Sequence, residues 1–422
     1  MSVVNDAPSN ANVDSPSTPL GRNRDFLLLW SGQLVSTAGT QITDLALPLL
    51  VLAVTSSPTQ AGIVAACGAV PRFLFALPAG ALVDRLDRKR VMIACDVLRA
   101  LALASIPLAY MLGRLSMVQL YIVSFILGTG FIFFFLARVS ALPRVVAREQ
   151  LPSAVARQEA ADSIVTLAGP PLSGIVFGLG RAWPFLLDAV SYVVSASSLG
   201  FIRVPFQRER TSQETAASLW ADMLVGLRWL WHAPLVRFMA LIYAGFALFL
   251  SPTELAVIVR AQEQHVSPFG IGLIFAAGGV GGLGGALLGP RLQRRFRFGQ
   301  VLPALQWIYV AGMVLYAFAP NPFLLGLIEA GVMANDQVYD IIWPSYRMAL
   351  IPDGLQGRVT SAYRLVLSSM LPVGTVLTGI LIQRLGASAA LLVAAGGLSL
   401  LALAVTFNRH VQSAPPISKR EI

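Results

Sequence analysis

The sequence Gly80-Ala-Leu-Val-Asp-Arg-Leu-Asp-Arg-Lys-Arg90 joins two long apolar segments by only a few residues. It brings four basic and two acidic side chains together in one short stretch. Because charged side chains are costly in hydrocarbon, we expect this stretch to sit in water, with a membrane span entering from each side. We call it the opening loop. It predicts a membrane protein built from closely spaced spans.

The composition agrees with that prediction. The chain has 422 residues, of which 56% are hydrophobic and 12% are charged, and its mean hydropathy is +0.70. These values exclude an ordinary soluble globular domain. Apolar runs long enough to cross about 30 Å of hydrocarbon recur along the whole length. Little chain remains for a large soluble domain.

The net charge of +10 invites comparison with nucleic-acid-binding proteins. However, most of the basic residues lie on one side of the membrane. One alternate set of loops holds only Arg114, Arg181, Arg260 and Arg384. Arg72 falls inside a span, and the remaining basic residues lie in or near the opposite loops and the two tails. That side is cytoplasmic by the positive-inside rule. No basic patch is interleaved with base-stacking aromatics, so we predict no nucleic-acid partner.

The apolar runs predict an all-α integral membrane protein with twelve spans in two pseudo-symmetric six-helix bundles. The spans of the first half are predicted at Phe26–Val54, Gly62–Val83, Val91–Leu112, Val118–Leu136, Ser163–Leu179 and Pro184–Ile202. Those of the second half are predicted at Phe238–Val257, Ile271–Leu288, Val301–Phe318, Phe323–Met348, Thr360–Ile382 and Ala387–Phe407. An even number of spans places both termini in the cytoplasm.

These spans divide the chain into five predicted parts. They are a disordered cytoplasmic tail (1–21), an N-terminal bundle (22–203), a cytoplasmic linker (204–236), a C-terminal bundle (237–408) and a second cytoplasmic tail (409–422). In the linker, Trp220, Leu224, Leu227 and Trp231 recur at helical spacing. This pattern predicts an amphipathic helix on the membrane surface.

The two halves also resemble each other in sequence. The opening loop aligns with a weaker copy, Gly289-Pro-Arg-Leu-Gln-Arg-Arg-Phe-Arg297, which follows the second span of the second half. Likewise, Gly169-Pro-Pro-Leu-Ser-Gly174 is echoed by Pro372-Val-Gly-Thr-Val-Leu-Thr-Gly379. A repeat at about half the chain length is typical of transporters built from two related bundles.

At these residues the chain resembles the major facilitator superfamily of transporters. The pattern Gly80-x-Leu82-x-Asp84-Arg85-x-x-Arg88-Lys89 is similar to the signature between the family's second and third spans. Gly169 and Pro170, with Gly174 following, resemble the fifth-span motif of its proton-coupled drug antiporters. Pro352-Asp-Gly-Leu-Gln-Gly-Arg-Val359 resembles the branch that holds the enterobactin exporter and macrolide-efflux proteins.

The resemblance implies a gating role for Gly80, Asp84, Arg85, Arg88 and Lys89. In the family, Asp84 and Arg88 would latch the cytoplasmic ends of the two halves when the cavity opens outward. The alternative is that these charges serve only insertion and orientation. The chain departs from the family pattern at Asp87, where a glycine is usual, and a carboxylate there could pair with Arg88 or Arg90.

The tenth span carries the most informative polar residues. Glu329, Asp336 and Asp340 are spaced by seven and four residues, which places them within about 20° of one line along a helix. Each ionised carboxylate in mid-span costs roughly 2.5–3.5 kcal/mol, so the three must face water, protein or a cation. They either pair with arginines of neighbouring helices or form, with Tyr339 beside them, a site for protons or cationic substrate.

Other charges are predicted in the spans that line the central cavity or lie beside it. Arg72 is about 18 Å along the second helix from Asp84, close to mid-membrane, where an ion pair with Asp44 of the first span would house both charges. Such a pair is either structural or also proton-sensing. Glu254 lies toward the outer end of the seventh span. Phe131, Phe133, Phe134 and Phe135 would in part form an aromatic cavity wall.

These residues together favour proton-coupled efflux of a bulky amphipathic compound such as a drug, antibiotic or siderophore. The chain contains no Gly-x-x-x-x-Gly-Lys-Ser/Thr loop, so ATP is not expected to drive it directly. Proton-coupled uptake of a small metabolite is the alternative transport function, and a non-transporting receptor or sensor is an alternative of another class. We expect a monomeric, multi-pass protein of the bacterial inner membrane with no enzymatic activity, cofactor or metal. Its expected partners are a small-molecule substrate, protons and the lipid bilayer.

Overall fold

A computed structural model describes residues 19–75, 78–206, 216–250 and 253–412. The helices of the first half are α1 (Arg24–Thr55), α2 (Pro58–Leu74), α3 (Pro78–Arg85), α4 (Arg88–Met111), α5 (Met117–Val145), α6 (Leu151–Leu179) and α7 (Trp183–Phe201). Those of the second half are α8 (Ala216–His232), α9 (Pro234–Phe249), α10 (Thr253–Glu263), α11 (Pro268–Arg295), α12 (Phe298–Phe318), α13 (Pro322–Leu350), α14 (Gln356–Leu385), α15 (Ala387–Phe407) and α16 (Arg409–Gln412). Short 3₁₀ turns at Arg148–Gln150 and Asp353–Leu355 precede α6 and α14.

Within the described residues, ten helical segments are long and apolar enough to cross a membrane. The two predicted spans missing from those ten correspond to α2 with α3 and to α13. The first is divided into two short helices, and the second carries Glu329, Asp336 and Asp340, which we call the acidic stripe. The structure confirms the all-helical membrane fold class and is consistent with twelve spans.

The helices begin where the sequence provides capping groups. Asn23, Ser57, Ser116, Ser267 and Asn321 each precede a helix and accept a hydrogen bond from a backbone N–H of its first turn. These bonds satisfy donors that the helix itself leaves free. Several of these helices also start at proline, whose fixed φ suits the first helical position. Local chemistry thus sets the boundaries of many spans.

The opening loop is more helical than its charge suggested. Its first six residues belong to α3, and α4 already begins at Arg88, so the turn itself is only Leu86–Asp87. Asp87 caps α4, because its side chain accepts a hydrogen bond from Arg90 N at 3.1 Å. The predicted pairing also forms with Arg90, whose Nε lies 3.8 Å from Asp87 Oδ2. The residue that departs from the family pattern therefore starts the next helix.

Two basic residues of the opening loop bind backbone carbonyls of their own bundle. Arg88 donates to the carbonyls of Ser140 (3.2 Å) and Phe206 (3.4 Å). Lys89 donates to those of Gly200 (3.1 Å) and Ile202 (2.7 Å). Cations are stabilised at the carbonyl ends of helices, here that of α7. The side chain of Asp84 lies outside the described residues.

The two halves meet along two pairs of helices, α2 with α14 and α6 with α11. A Cβ on Gly62 would lie 2.4 Å from Thr375 O, and one on Gly379 would lie 2.6 Å from Pro58 O. Beside them, Ser57 Oγ donates to Gln383 Oε1 at 2.8 Å. These contacts lie where α1 ends and α2 begins, which we call the far side. The opposite side, where α1 begins, is the terminal side.

The glycine-proline motif and its echo occupy equivalent places. A Cβ on Gly169 would lie 2.6 Å from Gln41 Cβ of α1, and one on Gly374 would lie 2.5 Å from Leu248 O of α9. Five residues further on, a Cβ on Gly174 would lie 2.3 Å from Pro268 O of α11, just as Gly379 packs against α2. In each half the first glycine therefore packs on its own bundle, and the second packs across the interface.

The linker helix α8 packs on the second half. A Cβ on Gly226 would lie 2.3 Å from Arg358 O of α14, and Leu230 is 1% exposed. Leu224 and Trp231 of the predicted apolar stripe point outward and are 58% and 55% exposed. Residues 207–215 of the linker, the side chain of Trp220, and tail residues 1–18 and 413–422 lie outside the described residues.

Candidate functional site

Three adjoining cavities lie between the two halves. Cavity 1 has a volume of about 540 Å³ and is bounded mainly by α9, α12, α13 and α14, with Arg72 reaching it from α2. Cavity 2 has about 380 Å³ and lies mainly in the first half. Cavity 3 has about 490 Å³ and lies between α1, α6, α11 and α13. Glu254 lines all three, so the cavities meet near its carboxylate.

The acidic stripe of α13 lies on the wall of cavity 1. Glu329 is 5% exposed and accepts a hydrogen bond from Tyr316 Oη at 2.5 Å. Asp336 accepts one from Tyr309 Oη at 2.6 Å, and Asp340 is exposed to the cavity. Among the described residues, no arginine lies within ion-pair distance of these carboxylates. Tyrosines of α12, rather than arginines, hold two of the three acids.

Aromatic rings form the rest of this wall. Tyr339 stacks on Phe246 of α9 at 5.4 Å between ring centroids and on Trp343 at 5.1 Å. Tyr243 also stacks on Tyr339, at 5.9 Å, and the ring of Tyr309 contacts Tyr339 edge-on at 6.1 Å. Such stacks present flat apolar surface together with hydroxyl groups. Cavity 1 thus combines an aromatic face with carboxylates.

Asp44 and Arg72 share cavity 2 but do not form the predicted ion pair. The Arg72 guanidinium instead lies 4.9 Å from the centroid of the Phe131 ring. Both side chains are exposed to the cavity, which lowers the desolvation cost that would have required a pair. The sequence correctly predicted that the two residues lie in the same region, but it wrongly predicted an ion pair between them.

The phenylalanines of α5 have separate roles. Phe131 lines cavity 2 under Arg72, and Phe135 stacks on Phe131 at 6.1 Å. Phe133 packs on Phe75 at 5.7 Å, while Phe134 is buried beneath Arg99, whose guanidinium lies 4.8 Å from its ring. Only the first of the four lines a described cavity, so the predicted aromatic wall comes chiefly from the second half.

Glu254 lies deeper than predicted. The predicted seventh span ended at Val257, which put Glu254 toward its outer end. In the structure α10 continues to Glu263, and α9 begins at Pro234. Glu254 therefore lies nine residues before the end of α10, rather than three residues before the end of the predicted span, because the helix extends beyond the apolar run.

A buried polar cluster in the first half contains a residue that sequence analysis missed. Asp96 and Arg99 of α4 belong to this cluster, and Asp188 of α7 is the residue that sequence analysis did not single out. The structure buries all three, at 0%, 4% and 1% exposure. Arg99 Nη2 lies 2.6 Å from Asp96 Oδ1. The Arg99 guanidinium also lies against the ring of Tyr192, which is one helical turn after Asp188 on α7. The available signal was the presence of charged residues within two apolar spans, α4 and α7.

Cavity 3 extends toward the terminal side. Glu159 and Asp162 of α6 line it, together with Asp44, Glu254 and Asp336. α6 and α11 touch near Gly272, whose Cβ position is 2.3 Å from Pro170 O, but the Cβ position of Gly282 has no atom within 4 Å. The interface is therefore tight on the far side and opens toward the terminal side.

The sequence matches a known family over nearly its whole length. A family described as "transmembrane secretion effector" matches residues 14–417. The multidrug efflux pump Tap of Mycolicibacterium fortuitum is 28% identical over 408 residues, covering 93% of this chain and 98% of Tap. Macrolide efflux protein A of Streptococcus pyogenes is 23% identical, covering 86% of this chain and 90% of that protein.

Solved structures show the same fold. The nucleoside transporter NupG superposes with a TM-score of 0.72 at 15% identity, covering 90% of this chain and 98% of that one. A bacterial homologue of the iron transporter ferroportin, in its inward-facing state, superposes with a TM-score of 0.72 at 18% identity, covering 93% and 100%. With this fold, the opening-loop signature and the extent of the family match, the chain belongs to the transmembrane secretion effector family of major facilitator superfamily transporters.

Proposed function

We propose that this transporter exports bulky amphipathic compounds from the cytoplasm and that proton entry drives the export. The multidrug and macrolide efflux proteins to which the chain is similar support this direction of transport. The observation that carries the proposal is cavity 1, whose stacked aromatic wall faces the carboxylates of Glu254, Glu329, Asp336 and Asp340.

The chemistry of cavity 1 suits a large, partly apolar molecule. A volume of about 540 Å³ lies within the range of small-molecule sites. Aromatic faces such as those of Tyr243, Phe246 and Tyr339 can stack on planar or cationic groups. Because carboxylates are adjacent, a cationic group on the substrate would find both a ring and a counter-charge.

We assign proton coupling to carboxylates that line the cavities. Asp336 and Asp340 are one helical turn apart on α13 and reach the same cavity. Their charge depends on whether they hold protons, and ionisable groups inside membrane proteins commonly serve in proton relays. Asp44 and Arg72 on the opposite wall, together with Glu254 where the cavities meet, complete the proposed polar site.

The opening loop and the glycine-proline motif are assigned to the conformational change. Gly80, Asp84, Arg85, Arg88 and Lys89 would latch the terminal ends of the halves when the far side opens. Lys89 now binds carbonyls within its own bundle, as expected of an open latch. Gly169, Pro170 and Gly174 would let α6 pack closely when the far side is closed.

The remaining features of the proposal follow from the family and from the basic loops. The terminal side, with both chain ends, faces the cytoplasm of a bacterial cell, and the protein lies in the inner membrane as a monomer. The two bundles (22–203 and 237–408) move about the linker (204–236). The chain transports without chemical conversion of its substrate.

Transport under an imposed proton gradient tests the function. Cells with and without the protein are first compared for susceptibility to a panel of antibiotics and dyes. Compounds that are better tolerated with the protein are then used in inside-out vesicles. Acidification of the vesicle lumen should drive their accumulation, and dissipation of the gradient should abolish it.

Two carboxylate variants test the coupling. Asp336→Asn and Asp340→Asn should each lose gradient-driven accumulation, whereas Glu149→Gln, an exposed carboxylate next to α6, should behave like the wild type. If both cavity variants retain full gradient-driven transport, the coupling assignment is wrong.

The latch is tested at Asp84. Asp84→Asn should insert normally and lose transport if the loop acts as a latch. Incorrect insertion of this variant would instead mean that the loop charges serve only orientation.

A further inference from the structure

We infer that Asp188 is a second proton-binding site, which holds a proton beside the buried Asp96–Arg99 ion pair and exchanges it with cavity 2. This site lies in the first half, on the opposite side of the interface from the acidic stripe. Its role in coupling rests on the proposed proton-driven export, but the bound proton itself is a property of the folded chain.

The cluster is buried and closely packed. Asp96 and Asp188 are 0% and 1% exposed, and Arg99 is 4% exposed. The guanidinium of Arg99 lies close to two aromatic rings, 4.8 Å from the centroid of Phe134 and 4.2 Å from that of Tyr192. Arg99 Nη2 donates a hydrogen bond to Asp96 Oδ1 at 2.6 Å, so Arg99, the cation of the cluster, is already paired with Asp96.

Two glycines leave room for these side chains. A Cβ on Gly39 of α1 would lie 2.3 Å from Asp188 Oδ1, and one on Gly130 of α5 would lie 2.8 Å from Arg99 Cδ. Both helices therefore approach the cluster where they carry no side chain. The site is enclosed by protein on these faces.

The charges that face Asp188 do not balance. α4 contributes Arg99, with Asp96 and Cys95 beside it, and α1 contributes Asp44. On α7 itself the titratable neighbour is Tyr192, while the carboxylates of α6 line cavity 3. A single buried guanidinium, Arg99, thus serves the two buried carboxylates, Asp96 and Asp188. The third carboxylate, Asp44, shares cavity 2 with a second cation, Arg72.

An unpaired buried carboxylate is strongly disfavoured, so one of the two must be neutral. Asp96 holds the direct ion pair. Asp188 has one bond, in which its Oδ1 accepts from Ser191 Oγ at 2.9 Å. Its Oδ2, like that of Asp96, is buried and has no hydrogen-bond partner in the described structure. The difference between the two residues is therefore the direct ion pair, which Asp96 has with Arg99. A proton on Asp188 removes the excess negative charge.

Polar groups connect the site to cavity 2. Thr40, Thr43, Arg99, Asp188 and Tyr192 all contribute to the lining of this cavity. Tyr192 Oη lies 2.8 Å from Thr40 Oγ1 and 3.3 Å from Arg99 Nη1. The exchange is a simple dissociation, in which the carboxyl group of Asp188 releases its proton to water in the cavity and becomes a carboxylate. Arg99 would then be shared by two carboxylates.

Infrared spectroscopy of the purified full-length protein in lipid tests the bound proton without any substrate. A protonated carboxyl group gives a carbonyl band that is distinct from that of a carboxylate. Asp188→Asn should remove one component of this band at neutral pH, and Glu149→Gln should remove none. If the two variants give the same band, the inference is overturned.

A second variant addresses the site without changing Asp188. In Asp96→Asn, Arg99 loses its partner and should pair with Asp188, which then ionises. The same carbonyl component should disappear although Asp188 is still present. If the component persists in Asp96→Asn, the proposed competition for Arg99 is wrong. This variant also decides the question if Asp188→Asn does not fold.

Transport separates this inference from the proposed function. With ethidium as the probe and an imposed difference of about one pH unit, loss of one coupled proton should lower accumulation about tenfold in Asp188→Asn. Ethidium exchange without a gradient should persist. If wild-type accumulation does not respond to the gradient, the proposed coupling fails, and the infrared result still decides whether Asp188 holds a proton. Full gradient-driven accumulation in Asp188→Asn would overturn its role in coupling.

Discussion

Replacing Gly272 by alanine should shift the transporter away from the conformation in which the far side is closed. A Cβ at this position of α11 would lie 2.3 Å from Pro170 O and 2.9 Å from both Pro170 C and Pro171 Cα of α6. These are backbone atoms, which cannot rotate away as a flexible side chain can. The two helices would have to separate by about 1 Å to reach ordinary contact distance.

The size of the shift follows from the cost of overpacking. Inserting a methyl group into a closely packed interface costs about 1–3 kcal/mol. The gain in helix propensity on replacing glycine applies equally to both conformations, because α11 is helical in each, and so it cancels. A difference of about 1–3 kcal/mol corresponds to about a 5- to 150-fold change in the ratio of far-side-closed to far-side-open molecules.

Distances between spin labels on the far-side loops measure this ratio. Suitable positions are Arg181, between α6 and α7, and Gln262, near the end of α10, both of which are exposed. Cys67 and Cys95 are replaced first so that only the introduced cysteines react. Gly272→Ala should increase the population at long distance relative to the parent protein.

A matched control is available on the same helix. The Cβ position of Gly282 has no atom within 4 Å, so Gly282→Ala should leave the distance distribution unchanged. If Gly272→Ala and Gly282→Ala give the same distribution, close packing of α6 on α11 does not hold the far side closed, and the reasoning is refuted.

Three further variants test other contacts. Gly379→Ala should open the far side in the same direction as Gly272→Ala, since its Cβ would lie 2.6 Å from Pro58 O, and the same spin-label distances check this. Tyr316→Phe leaves buried Glu329 without its donor and should cost about 1–3 kcal/mol, seen as a lower unfolding temperature in detergent. An unchanged value would mean that water replaces the hydroxyl. Asn23→Ala removes the cap of α1, which should cost about 0.5–2 kcal/mol in the same assay, and normal stability would show that the cap is dispensable.

The opening loop shows how far local chemistry extends. Its charges predicted a water-exposed connection between two spans, and its residue pattern indicated the superfamily that the family match then established. Asp87 departs from that pattern, but its effect is local, because an aspartate at this position caps the next helix. Composition, caps and hydrophobic runs act over a few residues, so they can be interpreted directly from the chain.

The acidic stripe marks the boundary of what such patterns can predict. The spacing of Glu329, Asp336 and Asp340 placed them on one face of a helix, and that face lines cavity 1. Helical periodicity does not specify what lies opposite. The hydrogen-bond donors to Asp336 and Glu329 are Tyr309 and Tyr316 of the preceding helix, α12. These tyrosines lie 27 and 13 residues before the carboxylates that they contact.

The sequence by itself therefore determined that this is an all-helical membrane protein with a repeated architecture and carboxylates aligned along one span. Only the tertiary structure decided that Asp44 and Arg72 remain apart, that Glu254 stands where the cavities meet, and that Asp188 lies beside the guanidinium that Asp96 engages. The physical reason is that spans are defined by transfer from water to lipid, a property of each segment alone. Charge pairing instead depends on which helices pack together and on how much water their cavities admit.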